Sequence, residues 1–82
     1  MVDKSERITV RLFAGLERQA SERRSEYHLA LAVSPTVAAL TAHLGLGPGV
    51  AGLVLVNGVH ARDDQLLNAG DEVSLFPPLG GG

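Results

Sequence analysis

The sequence predicts an α+β domain in which a mixed sheet of about four to five strands wraps around one main helix. Three observations predict it. Apolar and polar residues alternate near both ends of the chain, an amphipathic run lies between them, and Asn57-Gly58 marks a tight hairpin. The 82 residues have the length of one small domain. We expect that domain to cover residues 1–78, with a flexible glycine tail over residues 79–82.

Two strands are predicted in the amino-terminal part of the chain. Aliphatic residues occupy every second position of RITVRLFA (Arg7–Ala14), which is typical of a half-buried strand. One short helical turn is expected near Leu16–Ala20, followed by a polar loop. EYHLALAV (Glu26–Val33) alternates again with Val33 on its apolar side, and we expect it to pair with the first strand.

A helix is predicted to follow these strands. Ser34 suits the N-cap, and Pro35 suits the first helical position, where its missing N–H costs nothing. Val37, Leu40 and Leu44 then recur at helical spacing and predict a buried stripe. Gly45, which follows Leu44 directly, is placed to end the helix.

The carboxy-terminal part is predicted to complete the sheet. LVLVNGVHA reads as two short strands around a two-residue turn, and RDDQLLNAGD as a polar connection with a turn at its end. Glu72–Phe76 (EVSLF) is the last strand, because Pro77 and Pro78 cannot continue a ladder. The order strand, strand, helix, two short strands, strand is that of the β-grasp fold.

Composition bounds the possible partners. A net charge of −2 gives no basic surface for nucleic acid or for an anionic membrane. The sequence has no cysteine, so it offers neither disulfides nor thiolate metal ligands. No apolar run reaches the roughly 18 residues of a spanning helix. We therefore expect a soluble cytoplasmic protein that binds neither nucleic acid nor membranes.

The segment FPPLGGG at the end of the chain is the strongest functional signal. Gly80, Gly81 and Gly82 carry no side chains, so the group that they offer for chemistry is the α-carboxylate of Gly82. Glycine lets the backbone approach another surface closely, as a narrow enzyme site would require. The alternative is a frayed terminus without function.

A docking patch is predicted beside this tail. Phe13 and Phe76 each lie on the polar side of their strand, so both rings would share the outer face of the sheet if the two strands are neighbours. Aromatic residues are enriched at binding hot spots, and we expect Phe13, Phe76 and Leu79 to contact a partner. The alternative is that both rings fold into the core. Arg11 on the same face is either a contact for an acidic partner or a solvated charge.

Other motifs give weak signals. GPGVAG (Gly47–Gly52) matches a dinucleotide-binding pattern by letter, but it is expected to follow a helix and precede a strand, which is the wrong order. His28, His43 and His60 lack the close spacing of zinc ligands. No nucleophile and base are paired, so the chain is not expected to be catalytic alone.

The element order, LVLVNG, GDEVSLFPP and the terminal glycine pair resemble the MoaD/ThiS sulfur carriers, which are ubiquitin-like β-grasp proteins. The FPP motif and the length of 82 residues are more similar to the MoaD branch, the small subunit of molybdopterin synthase. Family members often carry a side chain at the position of Gly80, where this sequence departs.

The resemblance implies a reaction cycle at Gly82. An adenylyltransferase similar to ubiquitin-activating enzymes would use ATP to adenylate the carboxylate, and a sulfur donor would convert it to a thiocarboxylate. The large subunit of molybdopterin synthase would then accept the tail, with contacts from Pro77, Pro78 and Leu79. The carrier itself would bind no cofactor. The alternatives are sulfur delivery to thiamine, cysteine or tRNA, conjugation to proteins as a ubiquitin-like modifier, and a plain interaction module.

Overall fold

The computed structural model describes residues 6–78, which form five strands, one α-helix and one 3₁₀ turn. In chain order these are β1 (Arg7–Leu12), the 3₁₀ turn (Leu16–Gln19), β2 (Glu26–Ala30), α1 (Val37–His43), β3 (Leu53–Val56), β4 (Val59–His60) and β5 (Glu72–Phe76). Over these residues, no helix is both long enough and apolar enough to cross a bilayer.

The strands form a single mixed sheet in the order β2-β1-β5-β3-β4. The central pair, β1 and β5, runs parallel, whereas β1–β2, β3–β5 and β3–β4 are antiparallel. The first and last strands are therefore neighbours, and the first two strands pair as predicted. The β-grasp arrangement expected from the element order is confirmed.

The core lies between the helix and one face of the sheet. Val10 and Leu75 of the sheet are fully buried, as are Val37 and Leu40 of α1. The complete buried apolar set is Ile8, Val10, Leu12, Leu16, Ala20, Tyr27, Val37, Leu40, Leu44, Leu46, Val54, Val56, Ala61, Leu67, Val73 and Leu75. We call the sheet face that packs on α1 the inner face and the opposite face the outer face.

The helix begins two residues later than the sequence predicts. Thr36 is the N-cap, with an extended backbone and a side-chain oxygen that accepts a hydrogen bond from the Ala39 N–H at 3.1 Å. The carbonyl of Pro35 accepts from the N–H of Leu67 at 2.9 Å, which holds this segment extended. Ser34 is fully buried in the preceding turn. The predicted cap at Ser34 and helical start at Pro35 are wrong, because this long-range bond fixes the local backbone.

Two strands are shorter than predicted. β1 ends at Leu12, since Ala14 adopts a left-handed φ of 56° that no regular strand allows. β2 ends at Ala30, where its pairing with Arg7 exhausts β1, and the chain turns with a bond from Val33 N–H to the Ala30 carbonyl. Val33 is 51% exposed, so its predicted inward position is wrong.

The predicted hairpin is confirmed, and its turn is tied to the start of β5. Asn57 and Gly58 have φ values of 53° and 83°, as a two-residue turn of this kind requires. The Asn57 side chain donates to Asp71 at 2.9 Å and accepts from the Glu72 N–H at 2.9 Å. The Asp71 carboxylate also accepts from the Asn68 N–H at 2.8 Å. We call Asn57, Asn68 and Asp71 the polar clasp.

Candidate docking face and tail root

The last described residues form the root of the glycine tail. Central strand β5 delivers the chain to Pro77 and Pro78, and the predicted tail residues Leu79, Gly80, Gly81 and Gly82 lie outside the described residues. On one side the Phe13 N–H donates to the Leu75 carbonyl at 2.9 Å. On the other the Gly52 N–H donates to the Phe76 carbonyl at 2.9 Å. The strand is thus held from both sides up to its last residue.

Both phenylalanine rings lie on the outer face, where the sequence places them. Parallel pairing of Leu12 with Leu75 brings the next outward residues together, and the rings of Phe13 and Phe76 stack at 4.8 Å between centroids, 13° from parallel. Phe13 is 39% exposed and Phe76 is half-buried. The alternative interpretation required both rings to fold into the core, and neither ring belongs to it.

Leu53 extends this apolar surface. It pairs with Phe76 across the β3–β5 ladder and is 39% exposed. Leu53 was not among the predicted partner contacts, although the alternation of LVLV places it on the outer face at the start of β3. We call Phe13, Leu53 and Phe76 the aromatic patch. It borders a groove lined by Gly52, Leu53, Phe76, Pro77 and Pro78.

The stack prepares the aromatic patch for binding. Aromatic pairs contribute about 0.5–1.5 kcal/mol beyond the area that they bury. The contact also restricts the rotamers of both rings in the free protein. A partner that covers them therefore spends less free energy on ordering side chains, which costs about 0.5–1.5 kcal/mol for each one immobilised. The stack thus presents the aromatic patch as an ordered apolar surface.

Arg11 lies on the same outer face but bonds carboxylates of its own chain. Its Nε is 3.2 Å from Glu26 on β2, and its Nη1 is 3.2 Å from Glu72 on β5. The side chain of Arg11 is 42% exposed, so these are surface ion pairs of modest strength. A contact between Arg11 and an acidic partner would have to compete with both carboxylates. The predicted role of Arg11 in binding stays a prediction.

These contacts perturb two ionisable groups in opposite directions. Hydrogen bonds to Glu26 and Glu72 raise the pKa of Arg11 above its ordinary value. Hydrogen bonds from His28, first, and from Arg11 lower the pKa of Glu26. His28 Nε2 lies 2.9 Å from the second oxygen of Glu26. We call these four polar residues on three neighbouring strands, Arg11, Glu26, His28 and Glu72, the charged strip.

Within residues 6–78, no group of three His, Cys, Asp or Glu side chains is placed to hold a metal ion. Gly47–Gly52 connects α1 with β3 and thus follows a helix and precedes a strand. This order lacks the strand before and the helix after the glycines that a dinucleotide fingerprint needs.

Comparisons with known proteins agree with the β-grasp fold. Residues 10–82 match the ThiS family. SAMP1 from Haloferax volcanii, a small archaeal modifier protein, is 30% identical with a TM-score of 0.67, over 93% of this chain and 99% of that one. Urm1 from Trypanosoma brucei is 27% identical with a TM-score of 0.68, over 94% and 96% of the two chains.

A third similar structure is described as a putative molybdopterin converting factor, subunit 1, from Pyrococcus furiosus. It is 25% identical with a TM-score of 0.65, over 89% of this chain and 98% of that one. No curated protein sequence gives a significant match.

Proposed function

Because this chain belongs to the ThiS family, among the ubiquitin-like sulfur carriers and modifiers, we propose that it carries sulfur on the carboxylate of Gly82 for molybdopterin synthesis. An ATP-dependent adenylyltransferase activates the carboxylate, and the large subunit of molybdopterin synthase receives the tail. The observation that carries the proposal is the exposed Phe13–Phe76 stack at the root of that tail.

The chemistry follows from the properties of a terminal carboxyl group. Its pKa is about 3.3–3.7, so at neutral pH it is an anion and a poor acylating agent. Attack of its oxygen on the α-phosphorus of ATP forms the acyl-adenylate and releases pyrophosphate. Hydrosulfide then attacks the carbonyl carbon and AMP leaves with the former carboxylate oxygen, which yields the thiocarboxylate and one proton.

The domain contributes binding and orientation to this cycle. The aromatic patch supplies affinity for a partner, and β5 fixes where the tail begins relative to that patch. Four residues beyond Pro78 span at most about 13 Å when extended. An enzyme that holds the patch therefore finds the Gly82 carboxylate within a short radius, which replaces a second diffusional encounter by an intramolecular one.

The molybdopterin branch is supported by two observations. The Pyrococcus furiosus protein, described as subunit 1 of a molybdopterin converting factor, has a similar fold over most of both chains. The diproline at Pro77-Pro78 is the feature by which the sequence resembles the MoaD branch. Both support a carrier that works with a larger subunit.

A second candidate is conjugation of Gly82 to lysine amines of other proteins. The similarity to SAMP1, a modifier at 30% identity, favours it. Both routes begin with the same adenylate, so they separate only at the acceptor. Thiamine, cysteine and tRNA thiolation are further destinations of the same thiocarboxylate.

Intact mass spectrometry tests the proposal. The purified chain, whose starting mass establishes Gly82 as its terminal residue, is incubated with an activating enzyme from the same genome, ATP and sulfide. We expect a mass gain equal to the replacement of one oxygen by sulfur, dependent on ATP and absent from a variant that lacks Gly82. No pyrophosphate release and no mass change, with an enzyme shown to activate another carrier, would refute the carrier function.

The purified thiocarboxylate form of the chain is then used to identify the acceptor. Incubation with the large subunit and the pterin precursor should convert the thiocarboxylate back to carboxylate and yield a dithiolene product. Adducts of the chain with lysine-containing proteins, formed while the pterin precursor stays unchanged, would instead establish the modifier function.

A further inference from the structure

Gly52 makes an unusually close approach to the root of the tail. It directly precedes β3, and its N–H donates to the carbonyl of Phe76 at 2.9 Å. A Cβ atom built on Gly52 would overlap the Cα of Pro78 and would lie 2.7 Å from the Pro78 nitrogen and 3.0 Å from its Cβ. The atoms in the way belong mainly to the backbone, so no side-chain rotation relieves the contact.

Glycine is required here for space and not for backbone conformation. Several other glycines, among them Gly49 and Gly58, have positive φ angles that disfavour side chains, but Gly52 does not. An alanine could adopt the Gly52 backbone by itself. The obstacle is Pro78, which occupies the place of the missing methyl group.

Pro78 is the side of this contact that would yield. Gly52 is fixed by its bond to Phe76 and by Leu53 in the β3–β5 ladder, whereas Pro78 lies beyond the last paired residue and is exposed. Because the rings of Pro77 and Pro78 fix φ near −65°, a displacement is poorly absorbed at either residue. It is passed on to the residues that follow.

We propose that Gly52 is a positioning residue for the tail: its missing side chain sets the path by which the chain leaves the sheet toward Gly82. The diproline forms a ridge between two grooves, one lined by Leu53 and Phe76 and the other by Pro48 and Val50. A methyl group at position 52 displaces this ridge. The functional consequence rests on the proposed function of Gly82.

The consequence is a change in catalytic rate and not in docking. The three atoms nearest to a Cβ at position 52 all belong to Pro78 and none to the aromatic patch. An activating enzyme that binds the patch should therefore keep a nearly constant KM for the carrier. A tail held extended in a narrow enzyme site has no slack to absorb a displaced root. The carboxylate is then misplaced, and a misplacement of about 1 Å costs on the order of 100-fold in rate. A residue that served only folding would lower the fraction of competent carrier without this separation of kcat from KM.

The first experiment needs no variant and no enzyme. In the wild-type protein, nuclear Overhauser effects should connect the Gly52 Hα protons with the Hα or Hδ protons of Pro78. Their absence in a well-resolved spectrum would overturn the proposal, because the close approach that carries it would not exist in solution.

The second experiment compares Gly52→Ala with a matched control in the same loop, Gly47→Ala. Gly47 also lacks a positive φ, and a Cβ there meets only Val50 Cγ2 at an ordinary 3.7 Å. With the activating enzyme and ATP, we expect kcat of pyrophosphate release to fall about 10- to 100-fold for Gly52→Ala, with KM within about threefold. Gly47→Ala should match the wild type in both. Full activity of Gly52→Ala, or a loss proportional to unfolded protein, would overturn the proposal.

A double variant addresses how the displacement is transmitted. In Gly52→Ala/Pro78→Gly, the free φ of glycine allows the backbone to pass around the new methyl group. We expect kcat to recover relative to Gly52→Ala, and no recovery would contradict the transmission through Pro78. If Gly52→Ala does not fold, the wild-type proton contacts and this double variant decide the question.

Failure of the proposed function leaves a distinct signature. If the wild-type protein is never adenylated, the carrier hypothesis fails, yet amide chemical shifts still report on Gly52. Changes in Gly52→Ala that concentrate after Phe76 and leave the neighbours of Phe13 in place support the positioning role. Unchanged shifts beyond Pro78 would refute it independently of any enzyme.

Discussion

The two ends of β5 differ in their surroundings: polar groups hydrogen-bond each other at its start, whereas apolar side chains are exposed at its end. At its start, two hydrogen bonds of 2.8 and 2.9 Å join the polar clasp of Asn57, Asn68 and Asp71, and Asp71 is 9% exposed. A third, from the Glu72 N–H to Asn57 at 2.9 Å, ties the clasp to β5. At its end, a stacked pair of rings faces outward and two prolines follow that have no N–H to donate. We call the hydrogen-bonded start of the strand the closed end, and its other end, where apolar side chains are exposed, the open end.

The central position of β5 makes this division possible. Hydrogen bonding to β1 on one side and to β3 on the other fixes the strand along its whole length. The clasp sets where the strand starts, so it also sets where Phe76 and the tail root lie. We therefore expect stability and docking to be coupled through register, although they depend on different residues.

Deletion of Gly82 should have the largest effect, and that effect should be on activation and not on stability. Without this residue the carboxylate is retracted by about 3.3–3.6 Å, and activation should be lost. We expect the thermal midpoint of unfolding not to change, since the residues of the described core all precede Pro77. Intact mass after reaction and a thermal melt measure the two. A marked loss of thermal stability would mean that the tail is structural.

Asp71→Ala should break the closed end. The carboxylate accepts one hydrogen bond from a side-chain amide and one from the backbone N–H of Asn68, and bonds to charged groups are worth about 1.5–3 kcal/mol each. We expect the free energy of unfolding in urea to fall by about 3 kcal/mol. Asp71→Asn is the matched control, because it keeps one carbonyl acceptor and should lose less. Equal stability of Asp71→Ala and the wild type would contradict the role of the clasp.

Phe76→Ala should change the open end and should weaken partner binding more than it weakens the fold. Hot-spot truncations cost about 2 kcal/mol or more in binding, so the Kd for the activating enzyme should rise roughly 30-fold. Stability should fall by less, about 1 kcal/mol, since the ring is only half-buried and loses mainly its stack. Binding by calorimetry and unfolding in urea give the two numbers. A loss of stability larger than the loss of binding would place Phe76 in the core.

A control for this variant is Val59→Ala. Val59 is 68% exposed on edge strand β4, away from the tail root. Val59→Ala also truncates an apolar side chain to a methyl group. Its Kd should match the wild type. An equal rise for Val59→Ala would show that binding depends on general surface hydrophobicity and not on the aromatic patch.

The sequence predicted the features that depend on local patterns. Alternation gave the strands, Asn57-Gly58 gave the hairpin, and the outward positions of Phe13 and Phe76 followed from the period of two. Ser34 and Thr36 are chemically equivalent caps, and the choice between them was made by the bond from Leu67 to Pro35. No local pattern contains that information.

The same limit explains what was missed at the site. Arg11 finds Glu26 and Glu72 at separations of 15 and 61 residues, and only the strand order brings them together. Gly52 reads as one more loop glycine until Pro78 is seen in the space of its absent side chain. Long-range pairing therefore decides the parts of the site that govern orientation, whereas local pattern decides which residues face outward.

The smallest predicted effect concerns the charged strip between the two ends. Hydrogen bonds from His28, first, and from Arg11 lower the pKa of Glu26, so His28→Ala and Arg11→Ala should each raise its carboxyl titration midpoint toward the ordinary value. A lowered pKa in the folded protein adds stability above the unfolded value, about 4.3, that is lost as pH falls through the folded value. The stability difference between wild type and Arg11→Ala should therefore shrink in acid. Carbon NMR of the Glu26 carboxyl across this range measures the midpoint, and an unchanged midpoint in both variants would show that the strip is not coupled.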